Sequence, residues 1–142
     1  MSDNIVTSDK IKDHVEIFWP GLEFKLLTDR VYISPKMEEL EHYTYFQYKP
    51  PRFIKNVFEC EEFMDDFVNF RRKEIESNNG QEFNWALGKI GGLSFMDYPG
   101  KHFRNICFTS DHGIVLVEPQ PIGNGRIRKP YPKKDNIVWM RF

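Results

Sequence analysis

Only two cysteines, Cys60 and Cys107, occur in the 142 residues. Two thiols make no disulfide framework, and both are expected to be reduced. No Cys/His pair has the spacing of zinc ligands, which argues against a structural zinc site. There is no apolar run of transmembrane length, so no membrane span is expected. The opening Met1-Ser2-Asp3-Asn4 lacks a basic region followed by an apolar one, so the chain reads as cytoplasmic rather than secreted. Neither sign of charge dominates: 20 Lys and Arg face 21 Asp and Glu, for a net charge of -1. A nucleic-acid or membrane-surface partner is therefore not expected. Gly88, Gly91 and Gly92 are not followed by Gly-Lys-Ser/Thr, which excludes a phosphate loop of that type. No internal repeat is visible.

Aromatic residues, by contrast, are plentiful. They make up 15% of the chain, 13 of them Phe, within a hydrophobic fraction of 40%. That supports one packed domain over residues 1–142, with residues 1–8 as a polar, flexible arm. Ile11, Val15, Phe18 and Trp19 recur at helical spacing before Pro20-Gly21. Leu22 to Ile33 is strand-like, broken at Asp29. Ser34-Pro35 reads as a cap and first helical position ahead of Met37, Leu40 and Tyr43. A helix is predicted over 60–76, with Cys60, Phe63, Met64, Phe67 and Phe70 on one side and Arg71, Arg72 and Lys73 in its last turn. Asn78-Asn79-Gly80 would end it. Strands are predicted at 83–90, 93–96, 102–109, 114–118 and 137–142. Helices followed by strands make an α+β fold, helices packed on an antiparallel sheet.

Cys60 opens the long helix, where free backbone N–H groups favour a thiolate or an oxyanion. Cys107 lies between Ile106 and Phe108 in a strand and reads as structural. His14, His42 and His112 read as solvated. His102 follows Pro99-Gly100 at a strand edge, a position suited to a functional side chain on a rigid scaffold. Glu118 ends the apolar run Ile114-Val115-Leu116-Val117, with Gln120 on the same side of an extended chain. Thiol, imidazole and carboxylate in this order are what a cysteine hydrolase needs. The basic run Arg126, Arg128, Lys129, Lys133 and Lys134 reads as a solvated loop.

These segments resemble the papain-like cysteine protease domain found at the C-terminus of a mushroom agglutinin and in small bacterial and phage proteins. That family has Cys followed by two acids and an aromatic, then His-x-x-Asn, then an apolar strand ending Glu-Pro-Gln. The matching residues are Cys60-Glu61-Glu62-Phe63, His102-Phe103-Arg104-Asn105 and Leu116-Val117-Glu118-Pro119-Gln120. Ser34-Pro35-Lys36-Met37-Glu38-Glu39 is similar to the family's lead-in. The resemblance implies a papain-like domain cleaving a peptide or isopeptide bond in a peptide or protein substrate. It makes Cys60 the nucleophile, His102 the general base and acid, Glu118 the residue that orients His102, and Gln120 a supporting group. It also points to calcium, which the sequence itself does not require, with Glu61 and Glu62 as candidate ligands, and leaves a phage-encoded origin open. An acyl transferase would use the same residues. A non-catalytic interaction or virion-assembly protein would keep the fold alone.

Two expectations come from the residues themselves. Glu59, Glu61, Glu62, Asp65 and Asp66 should raise the Cys60 pKa until a cation offsets them. A turn at Ser110–Gly113 that pairs residue 110 with 114 puts Glu118 opposite Ile106, about 13 Å along the strand from His102 at roughly 3.3 Å per residue. Pairing 109 with 114 puts it opposite Asn105. Contact with His102 then needs a bend or bulge, and Gln120 or Asn105 is the alternative orienting group.

Overall fold

The computed structural model describes residues 4–22, 24–26, 29–51, 59–77, 83–121 and 125–142. Along the chain lie β1 (Ile5–Thr7), α1 (Ser8–Phe18), β2 (Phe24–Leu26), β3 (Val31–Ile33) and α2 (Met37–His42), which runs into a π-helical turn (Tyr43–Gln47). They are followed by α3 (Cys60–Ser77), β4 (Leu87–Ser94), β5 (His102–Thr109), β6 (Gly113–Val117), β7 (Ile127–Arg128) and β8 (Asn136–Arg141). The fold is α+β. The large sheet has the order β2-β8-β4-β5-β6-β7, and β1 pairs with β3 in a second, small sheet.

Both faces of the large sheet are covered. Ile90, Ile106, Phe108, Ile114, Leu116 and Met140 pack with Ile11, Val15 and Trp19 on the α1 side. Leu87, Cys107, Val115 and Val117 pack with Leu40, Tyr43, Phe67 and Val68 on the α2/α3 side. That is why β5 and β6 read as near-continuous apolar runs rather than alternating ones. Asn105 crosses between layers: its amide donates to the carbonyls of Met64 in α3 and Gly88 in β4, both at 3.1 Å. These bonds fix the helix against the sheet one turn beyond Cys60.

Several elements differ from expectation for physical reasons. Residues 5–7 are no free arm. They pair with Ile33–Val31, and Val6 is buried. Thr7 then caps α1, its hydroxyl accepting the Lys10 N–H at 3.2 Å. Ser34 does not cap α2. Its hydroxyl donates to the Phe108 carbonyl at 2.6 Å, and Lys36 is the N-cap. The sheet is not wholly antiparallel, because β2 joins β8 in parallel. The two predicted strands at 83–90 and 93–96 are one strand, β4, whose pairing with β8 is bulged around Gly92. α3 continues to Ser77, so Arg71 falls before its last turn; it pairs with Glu74 at 3.1 Å and lies 4.0 Å over Trp85. The stop at Asn78-Asn79-Gly80 and Phe58 lie outside the described residues.

Candidate active site

The β5–β6 hairpin decides the site. Thr109 pairs with Gly113, which takes a φ of 67°, so the loop is Ser110–His112. The Thr109 hydroxyl accepts the His112 N–H and donates to the Gly113 carbonyl, closing the turn. Asn105 then pairs with Val117, and one step on Glu118 faces Arg104. The register differs from both expected ones and brings Glu118 toward His102. Their separation along the strand falls to two residues, about 7 Å, a diagonal that long side chains span.

His102 begins β5 just after Gly100, whose φ of 101° suits glycine. Its Nε2 lies 2.6 Å from Glu118 Oε1, with both side chains buried. The other Glu118 oxygen accepts the Gln120 backbone N–H at 3.2 Å. Gln120 thus enters the site through its main chain. Asn105 is not the orienting group, since its amide is committed to α3 and β4.

Cys60 is the first residue of α3. The Glu59 carbonyl accepts the Phe63 N–H at 3.0 Å, and the Glu62 carboxylate accepts the Glu59 N–H at 3.3 Å, half of a capping box. The groups beside the Cys60 thiol that act on its pKa are the His102 ring and the N–H groups of Phe103 and Glu61. With Nε2 taken by Glu118, Nδ1 is the ring nitrogen left for the sulfur. His102 lowers the Cys60 pKa most. Burial opposes it, and the Phe103 and Glu61 N–H groups and the imidazolium charge assist. Burial alone would lower His102, but Cys60 and Glu118, with their charges, push it up to about 9. The opposite shifts favour a thiolate–imidazolium pair. Cys107, wholly buried, has its thiol pushed up by burial and is inert.

Two rings enclose the imidazole. Tyr98 stacks on it with centroids 4.3 Å apart and an interplanar angle of 23°, and Phe95 meets it edge-on at 5.9 Å. Beside it, an open groove of about 600 Å³ runs between α3 and the sheet, lined by Met64, Gly91, Leu93, Phe103, Val138 and Trp139 among others.

The acids around Cys60 do not act as expected. Glu62 caps α3, Asp65 pairs with Lys89 at 2.9 Å, and Asp66 accepts the Tyr48 hydroxyl at 2.8 Å. The thiol is lowered, not raised. Among the described residues no three His, Cys, Asp or Glu side chains converge on a point where a cation could sit.

Sequence reasoning missed two arginines. Arg126 is buried, and its guanidinium donates to the carbonyls of Glu118 (2.9 Å), Pro119 (2.7 Å) and Thr44 (3.4 Å). The Glu118 N–H donates to the Arg126 carbonyl at 2.7 Å, so the end of β6 is clamped from both sides. Arg104 lies behind Glu118. Carbonyl acceptors leave no mark in a sequence, which is why a basic run looked solvated.

No protein-family profile and no curated protein matches this chain. Solved structures share its fold, two of which follow. One is PSL1a in complex with E64, with a TM-score of 0.73, 19% identity, and 99% of this chain and 51% of that chain covered. The other is the Polyporus squamosus lectin bound to the human-type influenza-binding epitope Neu5Aca2-6Galb1-4GlcNAc, with a TM-score of 0.72, 19% identity, and 99% and 50% covered. The chain spans about half the length of these mushroom lectins, and at this identity the likeness is one of fold.

Proposed function

We propose that the chain is a papain-like cysteine hydrolase that cleaves a peptide or isopeptide bond in a protein or peptide substrate. The observation that carries this reading is the buried His102–Glu118 pair, 2.6 Å apart, beside a thiol at the first residue of α3, with the Cys60 pKa lowered and the His102 pKa raised by each other's presence. The Cys60 thiolate attacks the scissile carbonyl carbon, and the negative charge moves to the carbonyl oxygen. The Cys60 backbone N–H, in the first turn of α3, contributes to holding that oxygen. His102 gives its proton to the departing amine, and a thioester on Cys60 remains. Water, losing a proton to His102, then attacks the thioester; the carboxylic acid leaves and the thiol is restored. Glu118 holds the imidazole with Nδ1 toward the sulfur and balances the imidazolium charge. An amine in place of water would make the second step an acyl transfer.

E64 in one of the similar structures supports this reading, since its epoxide is opened by a thiolate. The test is incubation of the protein with E64 at neutral pH, followed by mass spectrometry and by assay of a fluorogenic peptide library. One adduct on Cys60 and none on Cys107, together with hydrolysis abolished by Cys60→Ala, is the expected result. No adduct and no hydrolysis would overturn the reading. A second reading, carbohydrate binding without catalysis, is favoured by the epitope in the other similar structure. Binding of that glycan by protein that E64 leaves unlabelled would select it.

A further inference from the structure

Glu118 does not face His102 alone. Arg104, 5% exposed, brings Nε to 3.4 Å from Glu118 Oε1, the same oxygen that His102 approaches. This is a contact of charges rather than an aligned hydrogen bond, for Nε has no hydrogen-bond partner. The guanidinium is fixed from the other side. Its NH1 donates to Asp97 Oδ1 at 2.6 Å, and its carbon lies 4.6 Å over the Phe95 ring that meets the imidazole edge-on. Asp97 Oδ1 also accepts Arg128 NH2 at 2.9 Å. Arg128 in turn donates to both oxygens of Asp135, at 2.7 and 3.0 Å. Asp135 is fully buried and accepts the N–H groups of Met96 and Tyr131, at 2.9 and 2.6 Å. From sulfur to Asp135 the charges alternate: Cys60, His102, Glu118, Arg104, Asp97, Arg128, Asp135. Buried ion pairs are a weak source of stability, because desolvation offsets most of their attraction. What such a run does supply is orientation, and this one ends on the proposed general base.

We propose that Arg104, held in place by Asp97, is a positioning residue that sets the Glu118 carboxylate against the His102 imidazole. The inference rests on the hydrolase reading. Arg104 touches neither sulfur nor substrate in this role and acts through Glu118. Its cross-strand place opposite Glu118, two residues from His102, puts it within reach of both.

The test reads the His102 ring directly, by NMR titration of the imidazole, beside Cys60 alkylation by iodoacetamide. The charged or titratable groups around that ring are Cys60, Glu118, Arg104 and Tyr98. Two opposing effects separate the possibilities. Removing a positive charge by its field alone would raise the imidazolium midpoint, whereas losing a positioned Glu118 lowers it. In Arg104→Met the midpoint is therefore expected to fall by about one pH unit or more, with Cys60 alkylation at pH 6 slowed roughly tenfold. Arg104→Lys should recover part of this, since it restores the charge without the planar fork. Arg104→Gln, which removes the same charge, should move the midpoint the same way, and it decides the matter if Arg104→Met does not fold. A midpoint unchanged or raised in the folded variants overturns the inference and leaves the hydrolase reading standing. A wild-type His102 that titrates near its ordinary value, beside an unreactive Cys60, overturns both.

Discussion

The chemistry rests on few atoms. His102 is the largest cause that lowers the Cys60 pKa, and Cys60 and Glu118 together hold the His102 imidazole above its ordinary value against burial. Glu118→Gln keeps the shape and removes the charge. The His102 midpoint, about 9 in the native protein, should then fall, because a negative partner that raises it is gone. In the proposed hydrolysis the protonated imidazole is the acid, so the alkaline limb of the rate profile should move to lower pH. kcat/KM at neutral pH should drop on the order of 10²-fold or more. An unshifted limb with full activity would show that Glu118 does not orient the ring. The identities of Cys60, His102 and Glu118 were legible in the sequence from the helix start, the strand edges and a family resemblance. Their geometry was not. The three-residue loop at Ser110–His112 depends on the Thr109 hydroxyl bridging the turn, a choice that sequence patterns leave open.

Elements carry these residues into place. α3 delivers Cys60, and its apolar face was readable from the spacing of Phe63, Met64 and Phe67, all now buried. What locks its register is Asn105, which the sequence presented as the end of His-x-x-Asn and as an alternative partner for His102. β4 lies under His102, with Gly92 opposite it. A Cβ on Gly92 would come within 2.9 Å of the Phe95 ring and 3.0 Å of the Asn136 carbonyl oxygen. The carbonyl is backbone and cannot turn aside, and Phe95 packs against the imidazole. Gly92→Ala should therefore destabilise the fold by about 1–3 kcal/mol in urea unfolding and slow Cys60 alkylation as well. A loss of stability with alkylation unchanged would separate that end of β4 from the site. β1 was invisible in the sequence because its three residues hold only by pairing with β3. The parallel edge strand β2 depends likewise on a partner more than a hundred residues away, β8.

At the scale of the whole molecule, a sheet covered on both faces supports a charged site at one end of β5. The α+β class followed from helices preceding strands. The mixed sheet, the clamp of Arg126 and the ion run to Asp135 did not, since each joins segments far apart in sequence through carbonyls or charges. The acidic character of the α3 start suggested control by a cation. The fold engages Glu62, Asp65 and Asp66 in a cap, an ion pair and a tyrosine contact. The account therefore stands or falls on the coupling of sulfur to imidazole. The direct measurement is the rate of Cys60 alkylation by iodoacetamide against pH, in the native protein and in His102→Ala. The native thiol is expected to react as a thiolate well below pH 8.5, the usual range for a free cysteine. His102→Ala should move the midpoint up by more than about one unit, because the largest cause of the lowered value is gone. Superimposable profiles with an ordinary thiol midpoint in both proteins would contradict the account.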